Sequence, residues 1–215
     1  MISGKKEELV AQTYELLKTT SPGDIKIRTI AERCHCTTTV IYKHFDDLKQ
    51  LICFSSVRFL EDYIIDVEKI VNGDSDPLVM LRSMWEAFAK YAFRNVEVFE
   101  LLFWGEFKDQ LGDTIFEYYQ IVQDKGKWER LDGLFTSVFF NSDIQERNYM
   151  IVHRAAVKGY FSYNSDRILS EMQCDMFHGL LLEYKDRYRD QAKAAEGEKK
   201  WMEMLDSLIE AYRIK

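Results

Sequence analysis

The sequence predicts an all-α protein. Apolar residues recur at three- and four-residue spacing through almost every segment, β-branched residues rarely alternate with polar ones, and only two prolines interrupt 215 residues. The apolar fraction is 47%, and 12 Tyr, 14 Phe and 4 Trp supply large side chains that need burial, which excludes a disordered chain. A chain of this length holds either one helical domain or a small module joined to a larger one. Two unequal domains are expected, 1–47 and 48–215.

Leu9, Val10, Thr13, Tyr14, Leu16 and Leu17 place a first amphipathic helix at about 4–19. Thr20-Ser21-Pro22-Gly23-Asp24 stops it, because Pro lacks an N–H and Gly tolerates the turn. A short helix at about 27–34 follows, with Ile27, Ile30 and Ala31 inward. Cys34-His35-Cys36 is then a turn, and the Thr37 hydroxyl is placed to cap a third helix whose inner edge is Val40, Ile41 and Phe45. Two short helices joined by a tight turn and packed by a longer one describe a helix-turn-helix. Asp46 or Asp47 caps one long helix through about Val71. After the loop Asn72 to Asp76, Pro77 suits a helix first turn, and further helices are expected at about 77–94, 96–110, 112–124, 128–140, 143–164, 168–190 and 196–213. The charged stretch Asp186 to Lys200 is expected to be a solvated helix end and loop.

Charge narrows the partners once it is divided. The formal net charge is −7, but residues 1–53 carry eight Lys/Arg against seven Asp/Glu, leaving 21 against 29 beyond them. The near-neutral module binds DNA if its few cations face the phosphates, with a modest, salt-sensitive electrostatic contribution. No apolar run of about 18 residues occurs, and MISGKKEELVAQ lacks the apolar core of a signal peptide. A cytoplasmic protein with no membrane partner is expected, its four cysteines reduced. No nucleophile elbow, P-loop, dinucleotide fingerprint or H-E-x-x-H occurs, so no enzyme, catalytic residue or cofactor is expected.

The stretch IRTIAERCHCTTTVIYKHF, Ile27 to Phe45, resembles the DNA-binding domain of the TetR-like (tetracycline-repressor) family of bacterial transcription regulators. The likeness lies in Ile30-Ala31, a turn, the hydroxyl of Thr37, and Tyr42-x-His44-Phe45, and it covers roughly 45 residues. It implies an N-terminal three-helix reader on a larger helical domain that dimerises and binds a small molecule. Tyr42 and His44 would then lie at the DNA backbone, Phe45 in the core, and Thr37, Thr38, Thr39 and Lys43 toward the major groove. Lys26, Arg28 and Lys49 complete the expected DNA set, and Val40 offers an apolar contact to a thymine methyl. The chain departs from the family pattern at Lys26, at His35 and Thr39 where glycine is usual, and at Leu48, beside Lys49, where a phosphate-binding lysine is common. His35 is therefore expected at positive φ.

The resemblance implies a homodimeric repressor of a palindromic operator. Its effector is expected to be apolar or aromatic. The aromatic run from Met84 to Phe107 reads first as core and second as a cavity wall. The candidate lining is Trp85, Phe88, Tyr91, Phe103, Trp104 and Phe107, with Tyr119, His153 and Tyr160 adding polar contacts. Dimerisation is expected through the helices at about 143–164 and 168–190, where Ala155, Ala156, Gly159 and Gly179 permit close approach. Cys34 and Cys36 read as small buried fillers. The alternatives are a metal- or redox-responsive regulator sensing through this pair, and a helical carrier or enzyme with a vestigial DNA-binding module.

Overall fold

The computed structural model describes residues 2–73, 76–121, 141–186 and 190–214, and these are helical apart from turns and one isolated bridge between Phe161 and Arg213. The helix expected at 128–140 and the end of that at 112–124 lie outside the described residues. Eleven α-helices are seen among the described residues. They are α1 (Ile2–Leu17), α2 (Ile27–Arg33), α3 (Thr38–Ile41), α4 (Leu48–Ser56), α5 (Glu61–Asn72), α6 (Pro77–Ala92), α7 (Val96–Trp104), α8 (Leu111–Ile121), α9 (Ile144–Val157), α10 (Asp166–Glu183) and α11 (Gln191–Tyr212). None of them is long and apolar enough to cross a membrane.

The N-terminal unit is built from α1 to α3 with α4 beneath it. Leu9, Val10, Leu16 and Leu17 of α1, Ile30 and Ala31 of α2, and Ile41 and Phe45 meet in one core. The turn after α2 is a Schellman motif: the His35 N–H donates to the Glu32 carbonyl and the Cys36 N–H to the Ala31 carbonyl. His35 takes the left-handed position, φ 46°, as its place in the turn predicts. Helix α3 spans only four residues, all β-branched, and Ile41 pins it to the core. Thr37 stands at its N-cap, yet its hydroxyl makes no capping bond.

Several boundaries differ from expectation, each for a local reason. The long helix after Asp47 is interrupted by a 3-10 turn at Val57–Leu60. Just before it, Ser55 and Ser56 turn their hydroxyls back to the Leu51 and Ile52 carbonyls, at 2.7 and 2.8 Å, a habit that bends helices. Asp47 does cap α4, accepting from the Gln50 N–H. Helix α7 stops at Trp104 because the chain turns extended at Gly105, where a Cβ would sit 2.3 Å from the Leu101 oxygen. Helix α9 ends well before residue 164 in a second Schellman motif: Gly159, φ 91°, donates to the Ala156 carbonyl and Tyr160 to that of Ala155. Helix α11 begins at Gln191 under an Asp190 cap, so much of the charged stretch expected as loop is helix.

The larger unit stacks α6 against α5, α9 and α11, with α9 on α10 and α10 on α11. Trp85, Phe88, Phe93, Phe177 and Trp201 fill its centre with ring centroids 4.8–5.8 Å apart. The aromatic run is thus chiefly core. Helix α4 joins the units: it packs on α1 on one side and on α7 and α8 on the other.

Candidate nucleic-acid interface and interior cavity

Around the turn between α2 and α3, polarity and exposure coincide. Lys26, Arg28, Thr37, Thr39, Tyr42 and Lys43 are exposed, while Thr38, Val40 and His44 are half-buried. Ile41 and Phe45, which separate these polar positions, are held inside, Phe45 edge-on to Phe54 at 5.6 Å. Tyr42 is 55% exposed, a large ring with more than half of its surface open. These exposed hydroxyls, the phenol and the three cations can donate to phosphates and base edges. His44 sits lower, in a crevice that it shares with Lys6, Gln50, Phe107 and Glu117. Lys6 of α1 meets Glu117 at 2.5 Å, and Lys49 of the joining helix α4 meets Glu106 at 2.7 Å, so each of these cations is paired with a carboxylate of the larger unit.

The cysteines of the turn are packed. Cys34 is fully buried with its thiol toward the Glu8 carbonyl, and burial pushes that thiol up to about 11, leaving it protonated at neutral pH and a poor nucleophile or ligand. Cys36 is half-buried and His35 exposed. Among the described residues no group of three His, Cys, Asp or Glu side chains is gathered to hold a metal.

In the larger unit a half-open pocket of about 50 Å³ is lined by Tyr63, Val67, Met84, Trp85, Phe88, Phe103, Ile144, Arg147, Asn148 and Ile151. Three of the nine residues expected around a ligand, Trp85, Phe88 and Phe103, are brought together here. The others stand elsewhere. The Tyr91 hydroxyl donates to Asp66 at 2.7 Å. Trp104 stacks flat on His178, centroids 4.4 Å apart, and Phe107 lies in the crevice below the head. Tyr119 meets Tyr118 edge-on, His153 pairs with Asp166 at 2.7 Å, and the Tyr160 hydroxyl donates to Asp76.

The polar liners, Arg147, Asn148 and Tyr63, are absent from the sequence-derived set. Arg147 is 7% exposed, its Nε donates to the Asn141 carbonyl, and its guanidinium stands 5.4 Å from the centre of the Phe103 ring. Burial lowers its pKa to about 10, so it remains a cation at neutral pH. The Tyr63 phenol is pushed up to about 12 by burial, a rise that the Arg147 charge opposes. The Asn148 amide nitrogen donates to Ser170 and to Gln173, and the Gln173 oxygen also accepts from the Trp85 indole. The signal was present: Ile144, Arg147, Asn148 and Ile151 fall on one helical face, which puts an arginine on an apolar stripe.

No family model matches the sequence, and neither does any curated protein. Solved structures do match over nearly the whole chain. PfmR, a TetR-family transcriptional regulator from Thermus thermophilus, is 15% identical with a TM-score of 0.56, covering 94% of this chain and 97% of its own. A TetR-family regulator from Agrobacterium tumefaciens is 16% identical with a TM-score of 0.55 over 95% and 98%. FadR, a TetR-family repressor also from Thermus thermophilus and solved with lauroyl-CoA, is 12% identical with a TM-score of 0.56 over 93% and 92%. At such identities the likeness carries the fold. This chain has the fold of the TetR-family transcriptional regulators, an N-terminal helix-turn-helix unit followed by a larger helical unit.

Proposed function

We propose that the protein is a ligand-responsive transcriptional regulator, a repressor that binds a palindromic operator as a homodimer in the cytoplasm. The observation that carries this reading is the outward grouping of Lys26, Arg28, Thr37, Thr39, Tyr42 and Lys43 around a helix-turn-helix. Residues 1–47 act as the reader and 48–215 as the effector and dimerisation unit. Tyr42 and His44 lie at the phosphate backbone, Thr37, Thr38, Thr39, Val40 and Lys43 face the major groove, and Lys49 exchanges Glu106 for a phosphate on DNA.

Two such readers enter successive major grooves, about one helical turn apart. Dimerisation uses α9 and α10. Three of the four small residues expected at that contact serve the subunit itself, Ala155 and Ala156 in its core and Gly159 in its turn. The support comes instead from the exposed apolar side chains Val157, Tyr163, Ile168 and Leu182. Ile168, Gly179 and Leu182 fall on one face of α10.

The route from ligand to reader is short. Phe103 of α7 lines the cavity, α7 packs on α4, and α4 packs on α1. A ligand that spreads the cavity would shift the population toward dimers whose readers are wrongly spaced.

Selection from sheared genomic DNA of the source organism at moderate salt, followed by a mobility shift on the best hit, tests the reading. An inverted repeat bound by a dimer is expected. A folded dimer that selects no sequence at all would overturn it.

A further inference from the structure

A polar chain runs behind the wall of the pocket, and its direction is fixed by atoms that can play only one role. The Asn148 side chain approaches the Ser170 carbonyl, an acceptor only, at 3.2 Å, so the near atom is the amide nitrogen. The same nitrogen donates to the Ser170 hydroxyl at 3.0 Å and to the Gln173 oxygen at 2.9 Å. The Trp85 indole, a donor only, reaches that Gln173 oxygen at 3.2 Å. Turning either amide over would set like groups against each other, so both assignments stand.

Each amide then keeps one unused atom. Asn148 is half-buried in the pocket wall, and among the described residues no donor reaches its oxygen. Gln173 is fully buried beside it, and its nitrogen has no partner. A buried donor left unpaired is unfavourable, so an occupant that accepts from it is stabilised. An acceptor in the wall and a donor just behind it suit one small group that does both, a hydroxyl. Arg147 does not call for an anion, because its Nε donates to the Asn141 carbonyl and the Asp143 charge acts on it.

We propose that this pocket takes a neutral apolar alcohol, its hydroxyl donating to the Asn148 oxygen and accepting from the Gln173 nitrogen, and its aliphatic or aromatic body among Trp85, Phe88 and Phe103. The proposal names the effector class of the regulator reading and rests on it. At about 50 Å³ the space is smaller than the ~300 Å³ or more of an occupied drug-sized site, so entry has to displace rings. Trp85, tied to Gln173, is the ring whose movement opens the Gln173 nitrogen. Phe103 is the other, and its helix leans on α4.

The test is titration of the full chain at pH 7.5 with four molecules that share one body: 4-phenylbutanol, its methyl ether, butylbenzene and 4-phenylbutyrate. The readouts are calorimetry and the fluorescence of the tryptophans, of which Trp85 lines the pocket. On hydrophobicity alone butylbenzene would bind best, because burying a hydroxyl without partners is unfavourable. The alcohol is expected instead to bind at least about tenfold more tightly than butylbenzene and the acid, about 1.4 kcal/mol. The ether, which accepts but cannot donate, should fall between alcohol and hydrocarbon. Asn148→Ala should bring the alcohol down to the ether, and Gln173→Met should bring the ether down to butylbenzene. Butylbenzene uses neither atom, so its binding reports in each variant whether the pocket survives, and circular dichroism and thermal melts confirm folding.

Butylbenzene or the acid binding as well as the alcohol, no binding by the alcohol, or an alcohol preference that survives both substitutions would overturn the assignment. The first two of these outcomes are read on the unsubstituted chain. A mobility shift on the same preparations separates the two levels. Specific DNA binding without alcohol preference removes the hydroxyl site alone. Alcohol preference without specific DNA binding removes the regulator reading and leaves the site.

Discussion

In the N-terminal unit Lys26, Arg28, Thr39, Tyr42 and Lys43 stand in solvent, whereas in the larger unit Arg147, Asp166, Ser170 and Gln173 are at most 7% exposed. These two groups of polar side chains are thus used in opposite ways. An exposed cation is solvated until a partner arrives, and removing it costs the fold little. A buried polar group is tied into its surroundings, so removing it disturbs what it holds.

The largest expected difference between the buried interior of the larger unit and the exposed side chains of the N-terminal unit comes from pairing Phe177→Ala with Tyr42→Ala. Phe177 is fully buried among Trp85, Phe88, Phe93 and Trp201, and its truncation should cost about 3–5 kcal/mol in denaturant unfolding. Tyr42→Ala should change stability by less than about 0.5 kcal/mol. Similar losses in both would break the comparison.

Lys43→Ala should next weaken operator binding by about 1–3 kcal/mol if Lys43 reads a base. If it holds a phosphate, affinity should fall evenly across sequences and the salt slope should drop by about one. In neither case should the melting temperature move. A mobility-shift titration over a range of salt decides between them.

Acid should act first on the larger unit. Asp66 receives hydrogen bonds from Tyr91 and Lys90, which hold its carboxyl down at about 2. A carboxyl depressed in the folded state adds stability above its unfolded pKa of about 3.9, and that contribution is lost as pH falls toward 2. With partial exposure screening the pair, about 1–2 kcal/mol should go, and Asp66→Asn should remove that part of the pH dependence from urea midpoints measured between pH 5 and 2.

The two Schellman turns offer a finer comparison. Gly159→Ala forces a side chain into the left-handed region and should destabilise by about 1 kcal/mol, while His35→Gly relieves the same strain and should stabilise by up to about 1 kcal/mol. Thermal melts of both variants check the opposite signs. Smallest of all, a double-mutant cycle on Lys49 and Glu106, both about two-thirds exposed, should return under about 1 kcal/mol of coupling.

The head was legible because local rules fix it. A left-handed turn residue, a β-branched short helix and an Asp cap each leave a mark within a few residues, and His35, Ile41 and Asp47 stand where those marks put them. The larger unit was legible as helices but not as a cavity. Trp85, Phe88 and Phe103 were within reach of periodicity, yet Tyr63 and Arg147 meet them from α5 and α9, and that meeting depends on how helices distant in sequence cross. Helix lengths failed where a side chain overrode propensity, as Ser55 and Ser56 did at the end of α4.

The cysteine distribution has a practical consequence. Cys34, Cys53 and Cys174 are buried, and burial raises all three thiols, the first to about 11 and the second to about 12, with the third also pushed upward. Alkylating reagents need thiolate and access, which leaves half-buried Cys36, at the reading turn, as the position open to labelling in the unmodified protein. A spin label or dye introduced there would sit once on each head of a dimer. In the proposed dimer the distance between the two labels would then give a ruler for the separation of the two helix-turn-helix units, with and without effector, and with no engineered residue required.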